Sequence, residues 1–144
     1  MKRSPMPRRR TPLRAIKPLR RAAARGKRDH YAHLRALVHA REGGCCARCG
    51  VHAPWGVGTV HHRRKQSQGG KDTPENCVWT CYPCNGGWIE DHPTEATRLG
   101  WTVPNGADPA SWPVLRTHYG RQGWWQPSED GWTEATPDER QVAA

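Results

Sequence analysis

The chain has 144 residues, of which only 16 are Leu, Ile or Val, and there is no Phe. With a formal net charge of +10, that composition excludes a core built on aliphatic packing alone and falls in the range of disordered chains. Eight Trp residues and six Cys, all six between positions 45 and 84, argue against disorder throughout and call for a staple, either disulfides or a metal. No apolar run approaches the roughly 18 residues of a membrane span, so no spanning helix is expected.

The charge is concentrated at one end. Residues 1–28 hold twelve Lys or Arg and no acid, whereas the other 116 hold eleven basic and thirteen acidic side chains. Pro5, Pro7, Pro12 and Pro18 lack amide donors and restrict the residues before them, which predicts a disordered, extended arm. Such an arm suits phosphate binding, with Arg8, Arg9, Arg10, Arg20 and Arg21 as the densest contacts. A solvated tail and an Arg-rich transit peptide are the other readings. A single serine, Ser4, and the lack of an apolar h-region disfavour targeting peptides, so a cytoplasmic location is expected.

Asp29 to Glu42 reads as a helix, with Tyr31, Leu34, Leu37 and Val38 on one face, Asp29 as N-cap and Gly43-Gly44 as its stop. Residues 57–62 and 76–80 are short β-branched stretches joined by a polar, glycine-containing loop, which predicts a hairpin with a long connection. A short helix is expected to start near Cys84 or Asn85, and another turn from Thr94 to Leu99, closed by Gly100. Beyond Trp101 the chain is rich in Pro, Gly and Trp, with edge strands expected at 112–115 and 123–126. Its tryptophans are read as core rather than as a base-stacking platform. The last dozen residues are expected to be disordered. The organisation is thus an arm (1–28), a central domain (29–100) and a C-terminal extension (101–144).

Cys46-x-x-Cys49 and Cys81-x-x-Cys84 have the spacing of two zinc knuckles, since a two-residue gap lets both sulfurs of one turn reach the same ion. Their separation of 31 residues exceeds that of a plain zinc ribbon, so the hairpin is set between them. Disulfides are disfavoured without a secretion signal. Cys45 and Cys77 are extra thiols that leave the register open.

Between the knuckles, His61-His62 ends the first strand, Gly69-Gly70 lies in the loop, Asn76 opens the second strand and Asn85 follows the last cysteine. In order and spacing, His61-His62-Arg63, Ser67 to Asp72, Asn76 and Cys81-x-x-Cys84-Asn85 resemble the HNH endonuclease family. The resemblance covers roughly residues 45–93. It implies an α+β domain with a ββα-metal finger braced by zinc and metal-dependent cleavage of DNA. His62 falls at the family's general base, a task suited to an unperturbed pKa near 6.5. His61 falls on a ligand position for the catalytic divalent cation, Asn76 on the residue that holds the loop, and Asn85 on the third motif position. There Asn replaces His, which suits Mg²⁺ or Mn²⁺ better than zinc; His92 is the alternative ligand. Arg63, Arg64 and Lys65 are candidates to grip flanking phosphates. The arm and residues 88–93 look like small HNH proteins of bacteriophages, a family analogy that also suggests phage packaging proteins as partners. A catalytically silent, zinc-stabilised nucleic-acid-binding module is the competing reading, with RNA as its other possible ligand. Adjacent strand residues point to opposite faces, so His61 and His62 serve one phosphate only if the strand ends or twists there.

Overall fold

The computed structural model describes residues 16–118 and 120–143, with side chains from residue 22 onward. Arg8, Arg9 and Arg10 lie outside the described residues, as do the side chains of Arg20 and Arg21. The chain divides into two units, residues 1–30 and 31–144.

Helix α1 runs from Ile16 to Arg41, thirteen residues longer at its start than the sequence suggests. Pro18 does not prevent this, because it falls in the first turn, where an amide donor would have no partner within the helix. The Ala22–Ala24 run and the flanking Lys and Arg residues are good helix formers. Asp29 is therefore an interior residue that pairs with Arg25 at 4.0 Å, not an N-cap. The helix stops at Gly43 and Gly44, both with positive φ, as expected.

Strands β1 (Gly58–His62) and β2 (Cys77–Cys81) form the antiparallel hairpin, with His62 opposite Cys77 and His61 opposite Val78. Every residue of β2 is buried. Val60, Cys77, Trp79 and Cys81 pack with Leu34 and Val38 of α1. Val78 packs with Ile89, Trp101, Val114 and Trp132. The hairpin is thus the middle layer of a small α+β fold. A π-helical turn, Pro83–Trp88, continues into α2 (Ile89–Asp91), and α3 follows at Pro93–Arg98. Gly100, at φ 82°, closes α3, and a Cβ there would collide with the Pro113 carbonyl.

The C-terminal residues are more ordered than expected. β3 (Val114–His118), β4 (Arg121–Pro127) and β5 (Trp132–Glu134) make an antiparallel sheet, and α4 (Glu139–Val142) ends the described chain. Trp101, Trp112 and Trp132 are buried, so these tryptophans are core residues. Two polar side chains explain why the chain end is not loose. Glu42 is buried and accepts from Trp132 Nε1 (3.1 Å), Arg116 Nη1 (2.9 Å) and Arg41 Nε (3.1 Å), which ties α1 to the C-terminal sheet. Gln141 is 1% exposed and donates to the carbonyls of Pro113 (2.9 Å) and Arg98 (3.3 Å). Residues 101–143 accordingly belong to the same compact unit as the hairpin.

Replacing Gln141 with Ala strands two backbone acceptors and should cost about 1–3 kcal/mol in urea unfolding. An unfolding midpoint unchanged from wild type would mean that α4 does not hold the domain together.

Candidate functional site

The four knuckle sulfurs of Cys46, Cys49, Cys81 and Cys84 lie within 4.8 Å of one another, the one such group of potential metal ligands among the described residues. Cys49 Sγ and Cys81 Sγ are 3.8 Å apart. A tetrahedron with metal–sulfur bonds of 2.3 Å has an edge of about 3.8 Å, so the donor set fits zinc. Cys45 and Cys77 fall outside it: Cys45 points at the Gly43 carbonyl, and burial pushes the Cys77 thiol up to about 12. Burial also raises Cys81 and Cys84 above the usual thiol range. Cys46 shifts the other way, because its burial is outweighed by backbone hydrogen bonds; four thiolates packed within 4.8 Å are held together only with a cation among them. Arg48 adds positive charge beside them, with Nη1 3.6 Å from Cys84 Sγ and its guanidinium 3.4 Å over the Trp88 ring.

The tetrad sets the positions of the next residues. Asn85 follows Cys84 directly, and His61 lies one register step from the end of β1. His61 is buried, with Nε2 2.7 Å from the Trp101 carbonyl and Nδ1 2.7 Å from Asn85 Oδ1. Burial pulls its pKa below the ordinary value, against the opposing effect of the Trp101 and Asn85 oxygens, so the ring is neutral near pH 7. A neutral imidazole has one N–H, and the carbonyl, which can only accept, claims it at Nε2. Nδ1 then has no proton to offer Asn85 Oδ1, and two acceptor atoms face each other at 2.7 Å, an approach relieved by a cation shared between them or by an amide turned to present Nδ2.

His62 makes a separate set of contacts. Nε2 is 2.7 Å from Asp72 Oδ1, Gln66 Nε2 is 2.9 Å from the same oxygen, and the ring lies parallel to Tyr31 of α1 with centroids 6.4 Å apart. The β-ladder continues through the His62–Cys77 pair, so the two imidazoles follow strand alternation, and no twist brings them together. Asn76 is buried and closes the loop between the strands: Oδ1 accepts from Arg64 N (2.6 Å), and Nδ2 donates to the carbonyls of Arg64 (3.1 Å) and Lys71 (2.9 Å). Gly70 is required there because a Cβ would strike the Arg64 carbonyl.

His92 is exposed, stacks on Trp88 at 5.2 Å and donates or accepts nothing towards His61: its Nδ1 bonds the Trp88 carbonyl (2.9 Å). Lys65 pairs with Glu90 at 2.8 Å, and Arg64 Nε donates to the Gln68 carbonyl. Arg63 requires a correction. Its side chain is 0% exposed and donates to the carbonyls of Gly100 (3.0 Å), Glu75 (2.9 Å), Pro109 (3.3 Å) and Trp112, so it cannot reach a phosphate. Its guanidinium fork suits several carbonyls at once, and here it joins the hairpin to the C-terminal segment. Asp72, Gln66, Tyr31, Arg48 and the Trp101 carbonyl are site groups that sequence reasoning did not find. Asp72 is ten residues from His62, and only the folding back of the loop brings them together.

Metal removal should be decisive for the fold. The purified protein should contain about one zinc per chain, and a strong chelator should abolish the native spectrum of residues 45–90, since such sites contribute on the order of 10–16 kcal/mol. A metal-free protein with native circular dichroism would contradict this. Separately, Arg63→Met should cost about 3 kcal/mol or more, because several buried carbonyls lose their donor. An Arg63 variant of unchanged stability but weakened DNA binding would restore the phosphate role.

Residues 46–87 match the model of the HNH endonuclease family. No curated protein and no solved structure matches the chain. The matched segment begins at the first cysteine of the tetrad and ends two residues past Asn85, enclosing the whole hairpin. Residues 46–87 are thus similar to an HNH endonuclease domain, and in this chain they pack with a C-terminal region that completes their core.

Proposed function

We propose that this protein is a metal-dependent DNA endonuclease that hydrolyses a phosphodiester. The observation that carries the reading is the 2.7 Å approach of His61 Nδ1 and Asn85 Oδ1 with Nε2 anchored on the Trp101 carbonyl. Two metal-binding atoms converge there, and the far nitrogen is fixed by a carbonyl, as is usual for ligating imidazoles. His61 and Asn85 would hold one hard cation, Mg²⁺ or Mn²⁺, separate from the zinc of the cysteine tetrad. When bound, that cation supplies charge neutralisation at the phosphate and at the leaving 3′ oxygen. His62 acts as general base: it takes one proton from a water, whose oxygen attacks phosphorus as the bond to the 3′ oxygen breaks. Asn76 holds the loop that carries this end of β1. The twelve basic residues of the first 28 supply a sequence-independent grip on the duplex, helped by Arg64 and Lys65.

A second reading, a catalytically silent zinc-stabilised module that binds nucleic acid, is favoured by one observation. His61 and His62 lie at successive strand positions with no shared contact, so an ion held by His61 and a water activated by His62 would have to meet beyond the strand end.

Cleavage of supercoiled plasmid with added Mg²⁺ or Mn²⁺ separates the two. Wild type should nick or linearise DNA, His62→Ala should lose roughly 10²-fold or more in rate, and Asn85→Ala should raise the metal requirement. Plasmid left intact by the folded, zinc-loaded wild type, with binding retained, would establish the silent module.

A further inference from the structure

Asp72 has no part in the reading above, yet it makes the shortest contact to the proposed base. The loop of residues 63–76, closed by Asn76, carries it back to His62 Nε2 at 2.7 Å. At that distance from a carboxylate oxygen, a nitrogen lone pair would be repelled, so Nε2 carries the proton. Gln66 Nε2 donates to the same Oδ1 at 2.9 Å and lies 3.3 Å from His62 Nε2; the two shorter contacts both end on Asp72, so the carboxylate rather than the amide decides which ring nitrogen is protonated. Tyr31 lies parallel to the ring on the helix side. Among the described residues Nδ1 takes no hydrogen bond.

We infer that Asp72 is a positioning residue that fixes His62 in the Nε2–H tautomer and holds its plane, leaving Nδ1 as the atom that accepts the proton of the attacking water. The assignment rests on the nuclease reading for its use, but not for its geometry. A carboxylate behind an imidazole selects the tautomer and stabilises the ring when it becomes charged, without itself taking the proton. Residues His62 and Asp72 thus form a pair on the opposite side of the strand from His61 and Asn85. The reacting phosphate is then expected at the end of β1, where the two histidines stand at successive positions.

The test uses the full chain with zinc present. Nitrogen-15 NMR of the imidazoles, followed up a pH series until the signals no longer change, should show His62 as the Nε2–H tautomer in wild type and as a tautomer mixture in Asp72→Ala. In plasmid cleavage, Asp72→Ala should lower kcat about 10²-fold with KM for DNA unchanged. Asp72→Asn, which keeps an acceptor oxygen but no charge, should fall between the two. Asp72 is partly exposed, so the variants are expected to fold, and circular dichroism checks this. An Nδ1–H tautomer in wild type, or an Asp72→Ala enzyme with wild-type kcat, overturns the assignment. A wild type that does not cleave DNA overturns the nuclease reading, whereas the tautomer measurement still decides by itself whether Asp72 sets the ring.

Discussion

The closing of four cysteine sulfurs into one tetrahedron is the constraint on which the rest of the structure depends. Cys46 and Cys49 precede β1, Cys81 is the last residue of β2, and Cys84 lies in the turn that follows. One cluster therefore clamps both ends of the hairpin and fixes the start of the helical segment. Asn85 is placed by Cys84, and His61 by the ladder from Cys81, so the same clamp sets the approach of the two. In a chain with so few aliphatic residues, a cation held by these cysteines would supply the folding free energy that a larger core supplies elsewhere.

Polar groups complete what the aliphatic residues do not. Glu42, Arg63, Asn76 and Gln141 are all buried, and each satisfies groups from two or three separate segments. Such side chains stabilise little in net terms, but each is costly to remove, because the partners it leaves cannot reach water. They also make the C-terminal region inseparable from the hairpin. The Trp101 carbonyl that anchors His61, and the Gly100 and Trp112 carbonyls that hold Arg63, come from that region. The family match covers only residues 46–87, yet the site inside it is completed by residues outside it.

The two histidines show how a strand distributes chemistry. Successive side chains alternate, so His61 turns towards Trp101 and Asn85 while His62 turns towards Tyr31 and Asp72. One ring is buried and neutral with its lone pair facing an amide, and the other is half-buried against a carboxylate. The ligand and the base proposed above would need two such different environments, and a one-residue step along one strand supplies both.

Composition and spacing alone determined the metal knuckles and the hairpin between them, because each depends on local geometry: a two-residue turn and a β-branched run. The resemblance to a known family, with His92 as the alternative, is what pointed from His61 to Asn85, and the fold places those two 2.7 Å apart. Composition and spacing also determined the helix stripe from Tyr31 to Val38 and its glycine stop. Only the tertiary structure decided the start of α1, since a proline tolerated in the first turn and forbidden later looks the same in sequence. It alone decided that Arg63 faces inward, since an arginine in a basic run is distinguished from its neighbours only by the carbonyls that surround it. The order of the C-terminal residues and the approach of Asp72 to His62 likewise depend on contacts between segments far apart in the chain, which no local pattern encodes.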